Sequence, residues 1–387
     1  MDSLHILASL ISNKISPRSL EDNQWAEIVE TAVRHDLAPM LYWITKDQVP
    51  YLKSDPRLIP LKQTANETAA KFSLFENARR QIDSAMAKAG IPTIWLKGIA
   101  LAYTVYPQPW LRPMVDLDVL VPFHQRKNAL NTANSLGFVA PEEPDVLDLD
   151  IIPEDLKQHY KLFGGPANSV FLELHYKLLV SAGVELLTLQ QLDWFWENTS
   201  KITVGQNSIQ IFNHEANFIY LCAHALLQHG AVDMPLLRIF DLHMLILKTK
   251  VNWQIVVDRA IHLKWSYAVE YALNLTITFF GTPVPTWVLD ELSTRRSPEE
   301  NSFKLTRFQG KGHRWERRMM ELSNLSYSAR LQVIFKKLFP PKKFMQKRYA
   351  ITPGHLVLPY YFYRWFDASR QIFWSIRTRI ANHIQRN

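Results

Sequence analysis

Residues 110–122 read WLRPMVDLDVLVP, and this stretch decides the fold. Val119, Leu120 and Val121 form a buried strand's apolar run, stopped by Pro122. Just ahead stand two carboxylates, Asp116 and Asp118, with Arg112 four residues before the first. Residues two apart share a strand face, so the spacing puts like charges side by side where burial is costly. Two accounts remain open: a divalent cation between the carboxylates, or a solvated acid pair at a strand edge. The apolar residues that follow directly favour the cation.

Working outward, Ile91–Gly98 (IPTIWLKG) is a short apolar run between Pro92 and Gly98 and predicts a second strand, with a helix starting at the glycine. A glycine between strand and helix N-terminus lets a phosphate approach backbone N–H groups, and Lys97 adds a point charge. Strand–Gly–helix turns are common, so this signal is weak alone. Further on, VFLELHYKL predicts a strand in which Glu173 shares a face with Phe171 and His175. Glu173 is a candidate third carboxylate, as metal ligand or as general base. His175 is either a hydrogen-bonded core histidine or a member of the same site. Arg112, in a loop with three prolines, either holds a phosphate with its fork or neutralises the aspartates.

Around this unit the pattern is helical. Residues 1–90 carry apolar residues at helical spacing, and Gly90 is placed as the C-terminal stop of a long helix. Beyond residue 180 the chain reads as mostly helical, interrupted by a hairpin around Gly205–Asn207. The stretch 141–155 reads as acidic and irregular. The expected domains are 1–90 (helical), 91–180 (the α/β core) and 181–387 (mostly helical). Arg238 and Asp241, three apart on one predicted helix, most simply form a local ion pair; the other possibility is that they line the mouth of a nucleotide cleft. His224 and His229, five apart, are poorly placed as a helical metal pair.

Composition bounds the function. The chain has 387 residues, 47% hydrophobic and 21% charged, a globular balance. One cysteine excludes an internal disulfide and a thiolate zinc cage, and suits a cytoplasmic location. No secretory signal or membrane span is expected. The net charge of +8 is uneven: residues 304–350 hold 13 Lys or Arg against two acids. That block is either a solvated basic face or a surface for an acidic partner. The aromatic, basic stretch 358–380 is expected in a core, with membrane-surface contact as the alternative. The phosphate-binding loop with Gly-Lys-Ser/Thr and the kinase motif set are both absent.

Taken together, LKGIALAYTVYPQPWLRPMVDLDVLV followed by LELHYKL resembles the uncharacterised nucleotidyltransferase family of the DNA polymerase β-type superfamily. The matching pattern is a Leu-Lys-Gly turn, an Arg-Pro, an Asp-x-Asp strand and a later acidic-x-His. It is close over 91–180 and looser over most of the chain, including LCAHALLQHG, LLRIFDLHMLI and LFPPKKFMQKRYA. The resemblance implies an α+β fold with a small mixed sheet, flanked by an N-terminal helical segment and a large helical C-terminal region. It also implies magnesium-dependent transfer of a nucleotidyl group from a nucleoside triphosphate such as ATP, with release of pyrophosphate. On this resemblance Asp116, Asp118 and Glu173 are the catalytic metal ligands, with two Mg²⁺ ions expected. Lys97 and Gly98 fall on the nucleotide-binding turn, and Arg112 joins them on physical grounds. The superfamily's usual Gly-Ser turn is replaced here by Lys97-Gly98-Ile99, so the substrate does not carry over. The acceptor (small molecule, peptide, protein or RNA) is not specified. The rival is an inactive member that holds RNA or an anionic surface through 304–350.

Overall fold

A computed structural model describes residues 2–48, 56–140, 158–181, 184–185, 187–228, 234–298, 300, 327–340, 342–352, 354–366 and 370. The expected features at 141–155, His229, much of the basic block and most of the aromatic C-terminus lie outside them. The chain forms two compact units, Met1–Pro141 with Gln158–Arg318, and Glu142–Lys157 with Met319–Asn387.

The first unit opens with helices α1 (Ser3–Ile11), α2 (Asp22–Arg34), α3 (Ala38–Gln48) and the long α4 (Ile59–Lys88). As expected, α4 stops at Gly90. That residue is left-handed (φ 67°), and the Ile91 and Gly90 N–H groups donate back to the Met86 and Ala87 carbonyls. This is the Schellman closure that glycine makes without strain. β1 (Ile94–Trp95), α5 (Lys97–Thr104), β2 (Leu117–Leu120), α6 (Arg126–Ser135), β3 (His159–Gly164) and β4 (Val170–His175) follow. A two-stranded pair, β5 (Val180–Ser181) and β6 (Val184–Glu185), precedes α7 (Leu189–Glu197). Next comes the hairpin of β7 (Thr199–Val204) and β8 (Asn207–Phe212), turning at left-handed Gly205. Helices α8 (His214–Ala223), α9 (Leu236–Lys248), α10 (Trp253–His262), α11 (Ser266–Phe280) and α12 (Thr286–Thr294) complete the described part of this unit.

The fold is α+β, as expected: one mixed six-stranded sheet, ordered β3-β4-β2-β1-β8-β7, among many helices. β2 runs parallel to β4 and antiparallel to β1, and β1 runs parallel to β8. The sheet thus draws two strands from 199–212, beyond the 91–180 segment. Its β3 was not anticipated at all.

Alternation divides the sheet's faces. Leu117, Val119, Val121, Leu172 and Leu174 enter one apolar cluster with Phe75, Ile82 and Phe138. Ile94, Leu120 and Phe212 join a second, larger cluster with the helices. The α4 helix is also tied to β1 and α5 by polar contacts. Arg79, fully buried, pairs with Glu76 and Asp83. Trp95 Nε1 donates to Asp83 Oδ1 at 2.7 Å, and Tyr103 Oη donates to Glu76 Oε2 at 2.5 Å. Buried charges are tolerated when their bonds are satisfied, and this network fixes the elements on both sides of the Lys97–Gly98 turn.

In the second unit, α13 (Tyr327–Leu338) and α14 (Lys342–Arg348) are described, and residues 358–366 are also helical. Met345, Ile351 and Val357 pack there with Tyr349, Tyr360 and Tyr361. No helix among the described residues is long and apolar enough to cross a membrane.

Candidate active site

Three strands bring charge to one sheet face. Parallel pairing sets Asp118 of β2 opposite Glu173 of β4, and antiparallel pairing sets His159 of β3 opposite His175 and Lys161 opposite Glu173. Asp116 lies one residue ahead of β2, in the bend that leads into it, not within the strand. The two aspartates are therefore close without being ladder neighbours.

Lys97 answers the like-charge problem. It adopts φ 48°, a left-handed conformation that costs a non-glycine residue energy and clusters at functional sites. The turn aims its Nζ at Asp118 Oδ1, 2.5 Å away, with Glu173 Oε2 at 3.7 Å. His175 Nε2 lies 2.9 Å from the same Asp118 oxygen and 3.3 Å from Glu173 Oε2. His159 Nε2 and Lys161 Nζ reach Glu173 Oε1 at 3.4 and 3.6 Å. His175 is fully buried and Asp118 nearly so.

The acidities follow from this arrangement. Burial opposes the Lys97 charge, but Asp118, Tyr220 and Glu173 outweigh it and hold the ammonium above its ordinary range. Burial likewise opposes charge on Asp118 and Glu173. Lys97 and His175 nevertheless hold Asp118 below the usual carboxylate range, and His175 with His159 does the same for Glu173. His175 is raised, because its bonds to Asp118 and Glu173 overcome its burial. His159 is pushed down to about 3, by burial and then His175. Asp116 differs. It makes no hydrogen bond or ion pair among the described residues, and burial, Asp118 and Glu173 push it up to about 6.

The Arg112 side chain is mostly withdrawn from solvent, and its partner is neither aspartate of the opening stretch. Its Nε and Nη2 donate to Asp241 Oδ1 and Oδ2 at 3.2 and 2.8 Å, and Tyr106 Oη donates to Asp241 Oδ1 at 2.7 Å. The simple local pair between Arg238 and Asp241 is thereby overturned: both Asp241 oxygens face Arg112. Gly98 has a packing reason as well. A Cβ there would lie 2.6 Å from Arg112 Nη1 and 2.7 Å from Met114, closer than atoms tolerate, so the missing side chain admits the guanidinium.

Of the six residues singled out in the sequence, Lys97, Asp118 and Glu173 meet directly. Asp116 adjoins them electrostatically, and Gly98 and Arg112 form the neighbouring wall. His175, left open in the sequence, belongs to the cluster. His159 and Lys161 were missed, although HYKLF alternates as a strand should. Tyr220 was also missed. Its buried hydroxyl has no partner among the described residues, and burial pushes its acidity down beside Lys97 and Asp118. Nothing in the α8 sequence separates it from a core aromatic.

Comparison with known families gives one match. A family described as uncharacterised nucleotidyltransferase matches residues 21–281. No curated protein and no solved structure matches the chain.

Proposed function

We propose, from the premise that the chain belongs to the uncharacterised nucleotidyltransferase family, that it transfers a nucleoside monophosphate from a nucleoside triphosphate to an acceptor hydroxyl or phosphate. Pyrophosphate is the second product. The observation that carries this reading is Asp116: a carboxylate without a hydrogen-bond partner among the described residues, crowded by Asp118 and Glu173, beside a strained lysine turn.

The donor set suits Mg²⁺, which takes carboxylate oxygens together with water and substrate phosphates. Asp116 supplies an uncommitted ligand, while Asp118 and Glu173 add oxygens already kept ionised by Lys97, His175 and His159. Asp116, Asp118 and Glu173 would hold the metal, one ion or two. The metal would supply Lewis-acid stabilisation of charge at the transferring phosphorus and its bridging oxygens. Glu173 fits ligation better than base catalysis, since a strongly acidic carboxyl is a poor proton acceptor near neutral pH. Lys97 holds a fixed positive charge at the turn. Arg112 and Gly98 together shape the wall, where Asp241 accepts from the Arg112 Nε and Nη2.

The test is incubation with each α-³²P-labelled nucleoside triphosphate, Mg²⁺ and a cell extract. Label should enter an acceptor, and Asp118→Asn should remove that transfer while the protein stays folded. Unchanged transfer by Asp118→Asn would refute the site.

One observation favours a second reading. Lys97 and His175 already settle much of the acid cluster's charge, so the carboxylates are tolerable without a metal. An inactive member that binds RNA or an anionic surface through residues 304–350 would then bind nucleic acid with strong salt dependence and transfer no label.

A further inference from the structure

Arg238 stands out by what it lacks. Arg79, which is buried, and Arg112 and Arg296, whose side chains are mostly withdrawn from solvent, each hold a carboxylate. Arg238, half-buried on α9, makes no side-chain hydrogen bond or ion pair among the described residues. A guanidinium has five donors in a rigid fork, and withdrawing it from water without partners is costly.

Its surroundings explain why it has no partner. The acid three residues on, Asp241, is the natural helical neighbour, but Arg112 and Tyr106 occupy it. Those bonds also pin α9 to the loop four residues ahead of Asp116, and Arg238 lies one turn earlier on the same helix. Asp241, Asp36 and Asp116 all attract Arg238 electrostatically, Asp241 most, and none closes a hydrogen bond or ion pair with it. Arg112 adds like charge nearby, so burial and Arg112 together weaken Arg238's hold on its proton. The backbone at this helix end is not the recruiter, because the Leu236 N–H is already given to His35 Nδ1 at 3.2 Å. What remains, among the described residues, is a guanidinium fork without a hydrogen-bond partner near the acid cluster.

We infer that Arg238 binds the polyphosphate of the nucleoside triphosphate, with a fork free of the carboxylate that engages Arg112. The inference rests on the nucleotidyl-transfer reading of the site. An arginine fork matches two phosphate oxygens in parallel, with charge-assisted bonds. Partial burial makes such a pair stronger than one in open water. The site's cations then divide their work: Lys97 belongs to the acids, Arg112 to Asp241, and Arg238 to the substrate.

The experiment compares wild type with Arg238→Met and Arg238→Lys by calorimetric titration in Mg²⁺, using inorganic triphosphate, ATP and adenosine as probes. Unliganded melting temperatures are recorded alongside. Wild type should bind triphosphate and ATP. Arg238→Met should weaken both by about 10–100-fold, the range of a hydrogen bond to a charged group, and leave adenosine unchanged. Arg238→Lys should recover only part of the loss, since a point charge lacks the fork. The unliganded melting temperature of Arg238→Met should not fall, because no hydrogen bond or ion pair among the described residues is removed and methionine keeps the apolar stem. Wild-type affinity for triphosphate in Arg238→Met would overturn the inference and leave the transferase reading standing. So would a fall in unliganded stability that accounts for the lost binding. Failure of wild type to bind either triphosphate or ATP would overturn both.

Discussion

Replacing Asp116 with asparagine should stabilise the metal-free protein at neutral pH. Burial, Asp118 and Glu173 raise the Asp116 carboxyl from 3.8 to about 6, while in the unfolded chain it titrates near ~3.9. Between those values the folded protein binds more protons than the unfolded one. The group's contribution is therefore full below about pH 4 and is lost as pH rises through about 6. At ~1.4 kcal/mol per pH unit, the ionised carboxylate costs on the order of 2–3 kcal/mol at pH 7.5. The amide of Asp116→Asn would keep the size and remove that cost. The assay is urea unfolding followed by tryptophan fluorescence, in a metal chelator, at pH 4, 5, 6 and 7.5. The variant's advantage over wild type should be near zero at pH 4 and should grow to about 2–3 kcal/mol by pH 7.5. Adding Mg²⁺ should stabilise wild type and close the gap. An advantage independent of pH, or none at pH 7.5, would refute the crowding of Asp116 by its neighbours.

Asp241→Ala should destabilise by about 3–5 kcal/mol, because it leaves the mostly solvent-shielded Arg112 without its counter-charge; chemical denaturation measures this, and a loss under about 1 kcal/mol would mean Arg112 finds water instead. Gly98→Ala should cost about 1–3 kcal/mol by overpacking against Arg112 Nη1 and Met114, read as a lowered melting temperature. His243, with Nδ1 2.9 Å from Thr282 Oγ1, is pushed down to about 4 by burial and by Lys14. It is neutral when folded, so its contribution is intact above about 6.5 and is lost as pH falls toward 4. His243→Gln should flatten that part of the stability–pH curve, and an unchanged slope would exclude His243 as its source.

Signals that are local in the chain were legible, and partnerships across it were not. The stop at Gly90, the turn at Gly205 and the strand of Val119 follow from conformational freedom and apolar spacing, which act within a few residues. The mixed sheet, and the approach of Glu173 on a neighbouring strand to Asp118, were expected through resemblance. β3 escaped because it follows an acidic, irregular-looking stretch, so His159 and Lys161 went with it. Arg112's bond to Asp241 spans 129 residues of sequence, and no local pattern encodes it. Reading Arg238 with Asp241 as a helical pair was sound by spacing, yet a better-placed fork from another element had taken the acid. Lys97 shows the same limit: its position was clear, but its grip on Asp118 depends on a left-handed turn that the sequence LKG does not announce.

The central claim is transfer of a nucleotidyl group, and its most direct test follows two labels in parallel reactions. Wild type with Mg²⁺ and a cell extract receives the same nucleoside triphosphate labelled with ³²P at either the α or the γ phosphorus. The account predicts that α label joins the acceptor and γ label leaves entirely as pyrophosphate, with both events lost in Asp118→Asn. Transfer of γ label to the acceptor, or no transfer of either label with any nucleotide, would contradict it.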